Sequence, residues 1–222
     1  MLKKNYQDMV LNQSELKMIA ILDTNIGNLR SVHNAINLLG FDNKIITHLD
    51  ISDDYTHLII PGVGSFPYAM QQKDSDTIKE KINKFADSKR PMLGICLGMQ
   101  LMSDFGEEGK GAKGFGLIAG KVIRIPNSKE LILPHVGWNT VNFKKKHPVF
   151  EGIKNGLDYY FVHSYHFQTN NKEYILGVSH YGSDFISIVG KDNLIGFQFH
   201  PEKSQKNGLK LLENFCKWDG KC

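Results

Sequence analysis

The chain has 222 residues, 41% of them hydrophobic and 23% charged, and a formal net charge of +4. This length and composition are typical of one globular domain that can bury a full core, and they exclude a low-complexity chain. The basic residues are spread along the sequence. The densest run, 144–146, is best interpreted as a solvated turn, with an anionic partner surface as the alternative, so we expect no nucleic-acid binding. No apolar run is long enough to span a membrane.

Cysteine usage indicates a reducing compartment. The three cysteines, Cys96, Cys216 and Cys222, form no C-x-x-C pair, and an odd number is a poor disulfide framework. Residues 1–17 lack the apolar core of a secretory signal. We therefore expect a cytoplasmic protein with a polar N-terminal extension over 1–17.

The first half of the chain alternates apolar strands and amphipathic helices. Strands are predicted at 18–23, 44–47, 57–60 and 92–95, and helices at 28–39 and 78–88. This order is typical of an α/β fold with an open, mostly parallel sheet and helices on both faces. Ligands of such sheets bind beyond the carboxyl ends of the strands.

The second half has short alternating segments separated by turns. We predict strands at 122–125, 140–143, 159–165, 175–178, 186–189 and 194–199, followed by a helix at 208–217. These strands are expected as antiparallel additions to the sheet. The whole forms one predicted domain over 18–217, with a short tail at 218–222.

The strand at 92–95 leads into Gly94-Ile95-Cys96-Leu97-Gly98, which predicts a nucleophile on a sharp strand-to-helix turn. Such a turn needs small flanking residues because neighbouring backbone approaches closely. At a helix N-terminus, free N–H groups and the helix dipole favour the thiolate form of Cys96. The motif indicates an activated thiol without saying what it attacks.

A base for this thiol is predicted at His200, which ends an apolar strand and precedes Pro201. In extended backbone, residues two apart point to the same side, so Glu202 can orient the His200 ring. A strand-end histidine beside a surface glutamate is the alternative, and it is disfavoured once an elbow cysteine is present. Oxyanion donors are expected from the Leu97 N–H and from the 61–64 loop, which alone could be a simple tight turn.

Other polar groups carry less information. His163 and His166 lie in one predicted strand without further ligands, so no metal site is expected. No phosphate-binding motif follows a strand, so no cofactor is expected. Trp138 is a core anchor if it is buried and a partner contact if it is exposed beside the active edge.

The order of several motifs resembles the class I (triad) glutamine amidotransferases, and among them the glutaminase subunits of imidazole glycerol phosphate synthases. The matching segments are 22–32, 61–64, 94–100, 134–139, 160–165 and 196–204, so the likeness runs from about residue 18 to 215. The resemblance implies a flavodoxin-like sheet. It leaves the 1–17 extension and the 218–222 tail without a role.

The resemblance also implies a reaction and a set of roles. Cys96 would attack the side-chain amide of L-glutamine, His200 would protonate the departing ammonia and then activate water, and Glu202 would orient His200. The remaining implied site residues are Val63, Gly64 and Leu97 for the oxyanion hole, and Gly62, Gln100, Ser164 and Tyr165 for substrate binding.

A partner is implied as well. Ammonia would pass to a (β/α)₈-barrel cyclase subunit in a heterodimer that makes imidazole glycerol phosphate and aminoimidazole carboxamide ribotide for histidine biosynthesis. Trp138 and Tyr160 would face that partner. Three alternatives stay open: a paralogue that feeds ammonia to another synthase, a stand-alone cysteine hydrolase, and a non-catalytic binding subunit that would not need an intact triad.

Overall fold

The computed structural model describes residues 17–24, 27–72, 74–126 and 131–222, so nearly all of the predicted 1–17 extension lies outside the described residues. The strands are β1 (Ile19–Leu22), β2 (Asn43–Ile46), β3 (His57–Gly62), β4 (Met92–Cys96), β5 (Phe105–Gly106), β6 (Ala112–Lys113), β7 (Lys121–Arg124), β8 (His135–Phe143), β9 (Leu157–His163), β10 (Tyr165–Gln168), β11 (Ile175–Tyr181), β12 (Ser183–Lys191) and β13 (Leu194–Phe197). The α-helices are α1 (Leu29–Leu38), α2 (Phe66–Met70), α3 (Ser75–Asp87), α4 (Leu97–Leu101) and α5 (Gln205–Lys217).

A block of parallel strands contains the four strands of the first part of the chain, as the βαβ order predicts, together with β13. Its strands lie in the order β2-β1-β3-β4-β13, and every adjacent pair is parallel. All residues of β1, β3, β4 and β13 are buried, which is typical of strands covered on both faces. The carboxyl ends of β3, β4 and β13 therefore meet at one edge of the sheet.

Helices cover both faces of this block, which confirms the predicted architecture. Ile19 and Ile21 of β1 pack with α1 and α5 in one apolar cluster. Ala20 and Leu22 point the other way and pack with α3 and α4 in a second cluster. The alternation follows from the two-residue period of a strand. None of the described helices is long and apolar enough to cross a bilayer.

The second half adds antiparallel strands, also as predicted, but three segments differ from expectation. β13 was expected as an antiparallel addition, yet it runs parallel to β4, because β12 runs against the parallel block and the hairpin between β12 and β13 reverses the chain again. The predicted strand at 159–165 is two strands, β9 and β10, interrupted at Ser164. The reason is that β9 pairs with β8, whereas β10 pairs with β7 and β12. In addition, Trp138 does not precede a strand but lies within β8, opposite Tyr160 of β9.

Buried histidines predict that the fold is sensitive to acid. Burial lowers the pKa of His57 and of His147 to about 4, whereas histidine in an unfolded chain titrates near 6.5. Below about pH 6.5 the unfolded chain therefore binds more protons than the folded chain. We expect the free energy of unfolding to fall as the pH is lowered from about 6.5 towards 4, measured by urea denaturation at several pH values.

His57→Gln tests the cause. This variant removes one such group, so it should reduce the slope of unfolding free energy against pH over that range. Ile36→Val, a conservative change at a fully buried position, is the control. It should cost about 0.5–1.5 kcal/mol at every pH and keep the wild-type slope. An unchanged slope in His57→Gln would contradict the assignment.

Candidate active site

Cys96 lies on a strained turn at the junction of β4 and α4. Its φ and ψ angles are 54° and −109°, a left-handed φ that a residue with a Cβ seldom adopts. A Cβ at Gly98 would lie 1.7 Å from the Ile60 carbonyl oxygen, and one at Gly94 would lie 2.6 Å from the Met99 nitrogen. Both glycines are therefore required by close backbone approach, as the elbow motif predicts.

His200 and Glu202 form a buried pair beside the elbow. The His200 Nδ1 and Glu202 Oε1 atoms are 2.8 Å apart, and the side chains are 2% and 1% exposed. His200 has extended φ and ψ angles of −99° and 95°, as expected before a proline. The predicted extended segment stops there, because Pro201–Lys203 form a 3-10 helix, and Glu202 reaches the ring from that turn. Nε2 of His200 and Oε2 of Glu202 are buried and have no hydrogen-bond partner among the residues that the structure describes. The ring nitrogen that Glu202 leaves free is thus available to a reacting group.

The electrostatics of this pair favour an imidazolium. Burial opposes the charged ring, but the charge of Cys96 and the hydrogen bond and charge of Glu202 outweigh it and raise the pKa of His200 to about 10. The backbone brings the two residues to the same edge of the sheet, because Phe197, three residues before His200, pairs with Ile95, the residue before Cys96. A base that holds its proton next to a thiol is the arrangement that activates a cysteine nucleophile.

Two further groups contact the Cys96 sulfur. The Cys96 thiol donates to the Val162 carbonyl oxygen at 3.8 Å, and Gln198 Nε2 donates to the Cys96 sulfur at 3.8 Å. Gln198 is fully buried and Cys96 is 6% exposed. The sulfur therefore has a fixed environment on its protein side and one opening, towards the cavity.

A cavity of about 240 Å³ opens at Cys96. Seven of the predicted site residues line it: Val63, Gly64, Cys96, Leu97, Gln100, Ser164 and Tyr165. Gly62 does not line it, but it pairs directly with Cys96 in the register of β3 and β4. His200 and Glu202 do not line the cavity but are buried, and His200 is electrostatically coupled to Cys96. The structure thus brings the other nine predicted catalytic, oxyanion and substrate residues to the neighbourhood of Cys96.

The loop after β3 is suited to present backbone donors. Gly64 has a φ of +102° and open space where a Cβ would be, so its conformation depends on glycine. Val63 is 37% exposed and faces the cavity beside Leu97. The peptide groups of this loop and of the first α4 residue therefore approach the cavity from two neighbouring strands.

Three polar residues at the site were not predicted from the sequence. Glu108 lines the cavity, and its Oε2 accepts a hydrogen bond from the Phe66 N–H at 2.7 Å. His163 also lines the cavity, and Gln198 contacts the sulfur. The two-residue spacing used to predict the His200–Glu202 pair also relates Gln198 to His200 in the sequence, so that signal was available. Nothing in the spacing of Glu108 indicates its role.

The predicted partner residues lie next to each other on the surface. Trp138 is 48% exposed, and its ring is 6.1 Å from the Tyr160 ring. Val136, on the same side of β8, is 56% exposed. Within the described residues, no group of three or more histidine, cysteine, aspartate or glutamate side chains is arranged to hold a metal ion.

Comparison with known proteins decides the family. The family model for class I glutamine amidotransferases matches residues 20–218. Imidazole glycerol phosphate synthase subunit HisH from Methanocaldococcus jannaschii is 47% identical over 89% of this chain and 98% of its own length. The subunit HisH from Sulfurimonas denitrificans is 47% identical over 90% and 98%. This chain belongs to the HisH family of class I glutamine amidotransferases.

Solved structures agree with this family at the level of the fold. A chain of PurLQS from Thermotoga maritima superposes with a TM-score of 0.71 at 19% identity, covering 91% of this chain and 99% of that one. A glutamine amidotransferase from the same organism gives a TM-score of 0.65 at 15% identity, with 91% of this chain and 84% of that one covered. This chain and these two solved structures therefore share the fold described above.

The raised pKa of His200 predicts the effect of neutralising Glu202. In Glu202→Gln the amide keeps the shape but loses the charge, so the pKa of His200 should fall from about 10 by about one unit or more. NMR titration of the His200 ring measures it. Glu151→Gln, which changes an exposed glutamate, should leave the titration unaltered. An identical His200 titration in Glu202→Gln would contradict the described coupling.

Proposed function

We propose that Cys96, His200 and Glu202 are the triad that hydrolyses L-glutamine to glutamate and ammonia in this HisH-family subunit. Membership of the family makes the chain a glutaminase subunit of imidazole glycerol phosphate synthase in histidine biosynthesis. The observation that carries the assignment of residues is the strained elbow cysteine whose charge is coupled to a buried His–Glu pair.

The reaction follows from the positions of the groups. The Cys96 thiolate attacks the side-chain carbonyl carbon of glutamine, and the oxygen that gains charge is held by N–H groups of Leu97 and of the Val63–Gly64 loop. The His200 imidazolium gives its proton to the leaving nitrogen, so ammonia departs and a thioester remains. Neutral His200 then takes a proton from water, and the resulting hydroxide releases glutamate and restores the thiolate.

The cavity supports recognition of the amino-acid end of glutamine. Gln100 Nε2 donates to the Tyr165 carbonyl oxygen and to Gln198 Oε1. Both of its N–H bonds are thus used, and its amide oxygen is left to accept from an ammonium group. Glu108 adds a negative charge at the same cavity. We therefore assign the α-ammonium group of the substrate to Gln100 and Glu108, and its carboxylate to the Ser164–Tyr165 backbone.

We further propose that the ammonia passes to a (β/α)₈-barrel cyclase subunit bound as a heterodimer over Trp138 and Tyr160. The pair is half-exposed, aromatic and next to the active edge, which is typical of an interface anchor. Gly62–Gly64 is the candidate switch, because glycine lets its peptides change orientation when the partner is bound. A triad that depends on a reduced Cys96 fits a cytoplasmic location.

Cys96→Ala tests the nucleophile. With the cyclase present, the variant should release no glutamate from glutamine, because no thioester can form. It should still allow the complex to use free ammonium, since the ammonia-consuming chemistry belongs to the partner. The assay follows glutamate and imidazole glycerol phosphate separately. Cys222→Ser, at an exposed free cysteine, is the control and should retain both activities. Glutamate release by Cys96→Ala would refute the triad.

Trp138→Ala tests the partner surface. Removal of a half-exposed aromatic anchor should weaken binding to the cyclase by about 2 kcal/mol or more, which is roughly thirtyfold in Kd. Isothermal titration calorimetry measures this change. Leu49→Ala is the control, because Leu49 is a 69% exposed apolar residue in the segment after β2. Equal affinities for the Trp138 variant and the wild type would place the interface elsewhere.

A further inference from the structure

Two buried histidines form a direct hydrogen bond behind the active cavity. His135 Nδ1 and His163 Nε2 are 2.9 Å apart, and the residues are 3% and 6% exposed. The His135 ring is stacked at 4.0 Å on Tyr181 and at 5.2 Å on Phe161. This pair has no part in the triad chemistry, yet His163 lines the cavity of Cys96.

The hydrogen-bond partners on either side of the pair determine which ring nitrogen donates in each histidine. His163 Nδ1 contacts the Tyr165 carbonyl oxygen at 2.9 Å, and a carbonyl can only accept. His163 Nε2 is therefore the acceptor for the His135 Nδ1–H. His135 Nε2 in turn accepts from Asn139 Nδ2 at 3.3 Å. This order requires both rings to be neutral, and burial lowers the pKa of His135 to about 4 and that of His163 to about 3.

The Tyr165 carbonyl continues the chain to the nucleophile. It accepts from Gln100 Nε2 at 2.9 Å, which turns the amino end of that amide towards it. Gln100 Nε2 also donates to Gln198 Oε1 at 3.0 Å. Since Gln198 Oε1 is occupied as an acceptor, its Nε2 faces Cys96 and donates to the sulfur at 3.8 Å. Each amide orientation is thus set by the previous member.

We propose that His135 and His163 are positioning residues that act through the Tyr165 carbonyl, Gln100 and Gln198 to present an N–H donor to the Cys96 thiolate. The donor stabilises the charged form of the nucleophile. A glutamine amide can rotate to present either its oxygen or its nitrogen, and an oxygen facing the sulfur would repel the thiolate. The hydrogen bond from His163 holds the Tyr165 carbonyl in place at the break between β9 and β10. The carbonyl therefore stays within reach of Gln100 Nε2, and this keeps both amides from rotating.

The inference rests on the proposed role of Cys96 as nucleophile, but its test needs neither glutamine nor partner. The rate of alkylation of Cys96 by iodoacetamide is followed against pH in the free protein, in a Cys222→Ser background. Gln198→Met keeps the length of the side chain and removes the donor. Cys96 alkylation at pH 7 should become about tenfold slower, and its pH profile should move to higher pH. The other ionisable groups around Cys96 and its cavity, which are Glu108, His163, Tyr165, His200 and Glu202, are unchanged in this variant.

A pair of variants at His163 separates positioning from packing. Asparagine places an amide N–H near the position of the histidine Nδ1–H, so His163→Asn should retain the donor to Tyr165 and the wild-type alkylation profile. His163→Leu cannot donate and should resemble Gln198→Met. His57→Gln is the matched control. It changes another buried histidine, which is the first residue of β3, whereas Gly62 is the last. This variant should leave the alkylation profile unaltered.

Wild-type alkylation profiles in Gln198→Met or in His163→Leu would overturn the proposal, as would equal loss in His163→Asn and His163→Leu. If one variant fails to fold, as judged by circular dichroism, the other variant decides. Failure of the proposed function would be detected by a different measurement. It would appear as glutamate release by Cys96→Ala, and this result does not depend on the alkylation profiles.

Discussion

The site depends on one close approach of two backbones, where Gly98 lies against the carbonyl group of Ile60. No side chain fits between them, so the chain must turn sharply as it leaves β4, and Cys96 takes the left-handed φ of 54° that this turn imposes. Such a conformation costs on the order of 1–3 kcal/mol. The packing of β3 and β4, whose residues are all buried, offsets this cost.

Once the elbow is in place, neighbouring strands supply the other groups. β3 brings Gly62 beside Cys96, and β13, parallel to β4 on its other side, leads to His200. The break between β9 and β10 brings Ser164 and Tyr165 to the cavity. A parallel sheet ends its strands at a common edge, so groups distant in sequence meet there without long loops.

Electrostatic interactions determine the protonation of the side chains that the backbone brings together. The His200–Glu202 pair is buried, and Coulomb interactions are stronger there than in water. The charges of Cys96 and Glu202 outweigh the burial of the ring and keep it protonated. The proton is therefore present where a leaving nitrogen would need it, and the thiolate has a positive neighbour.

Much of this arrangement could be predicted from local sequence, because local rules govern it. Apolar periodicity located β1 to β4 of the parallel block, and the spacing of Gly94, Cys96 and Gly98 predicted the elbow. The spacing of His200 and Glu202 predicted the buried pair that lies beside it. The parts that were not predicted depend on contacts across the fold. Ser164 interrupts a segment whose apolar alternation predicts one continuous strand. Glu108 lines the cavity and accepts a hydrogen bond from the Phe66 N–H, 42 residues away in the sequence.

The central claim is that Cys96 is the thiol that reacts with the side-chain carbonyl of glutamine. Covalent labelling of the complex with the cyclase by 6-diazo-5-oxo-L-norleucine, followed by peptide mass spectrometry, tests it most directly. This glutamine analogue presents an electrophile in the position of the amide. One label is expected, on Cys96, and excess L-glutamine should prevent it. A label on Cys216 or Cys222 that glutamine does not affect, with Cys96 unmodified, would contradict it.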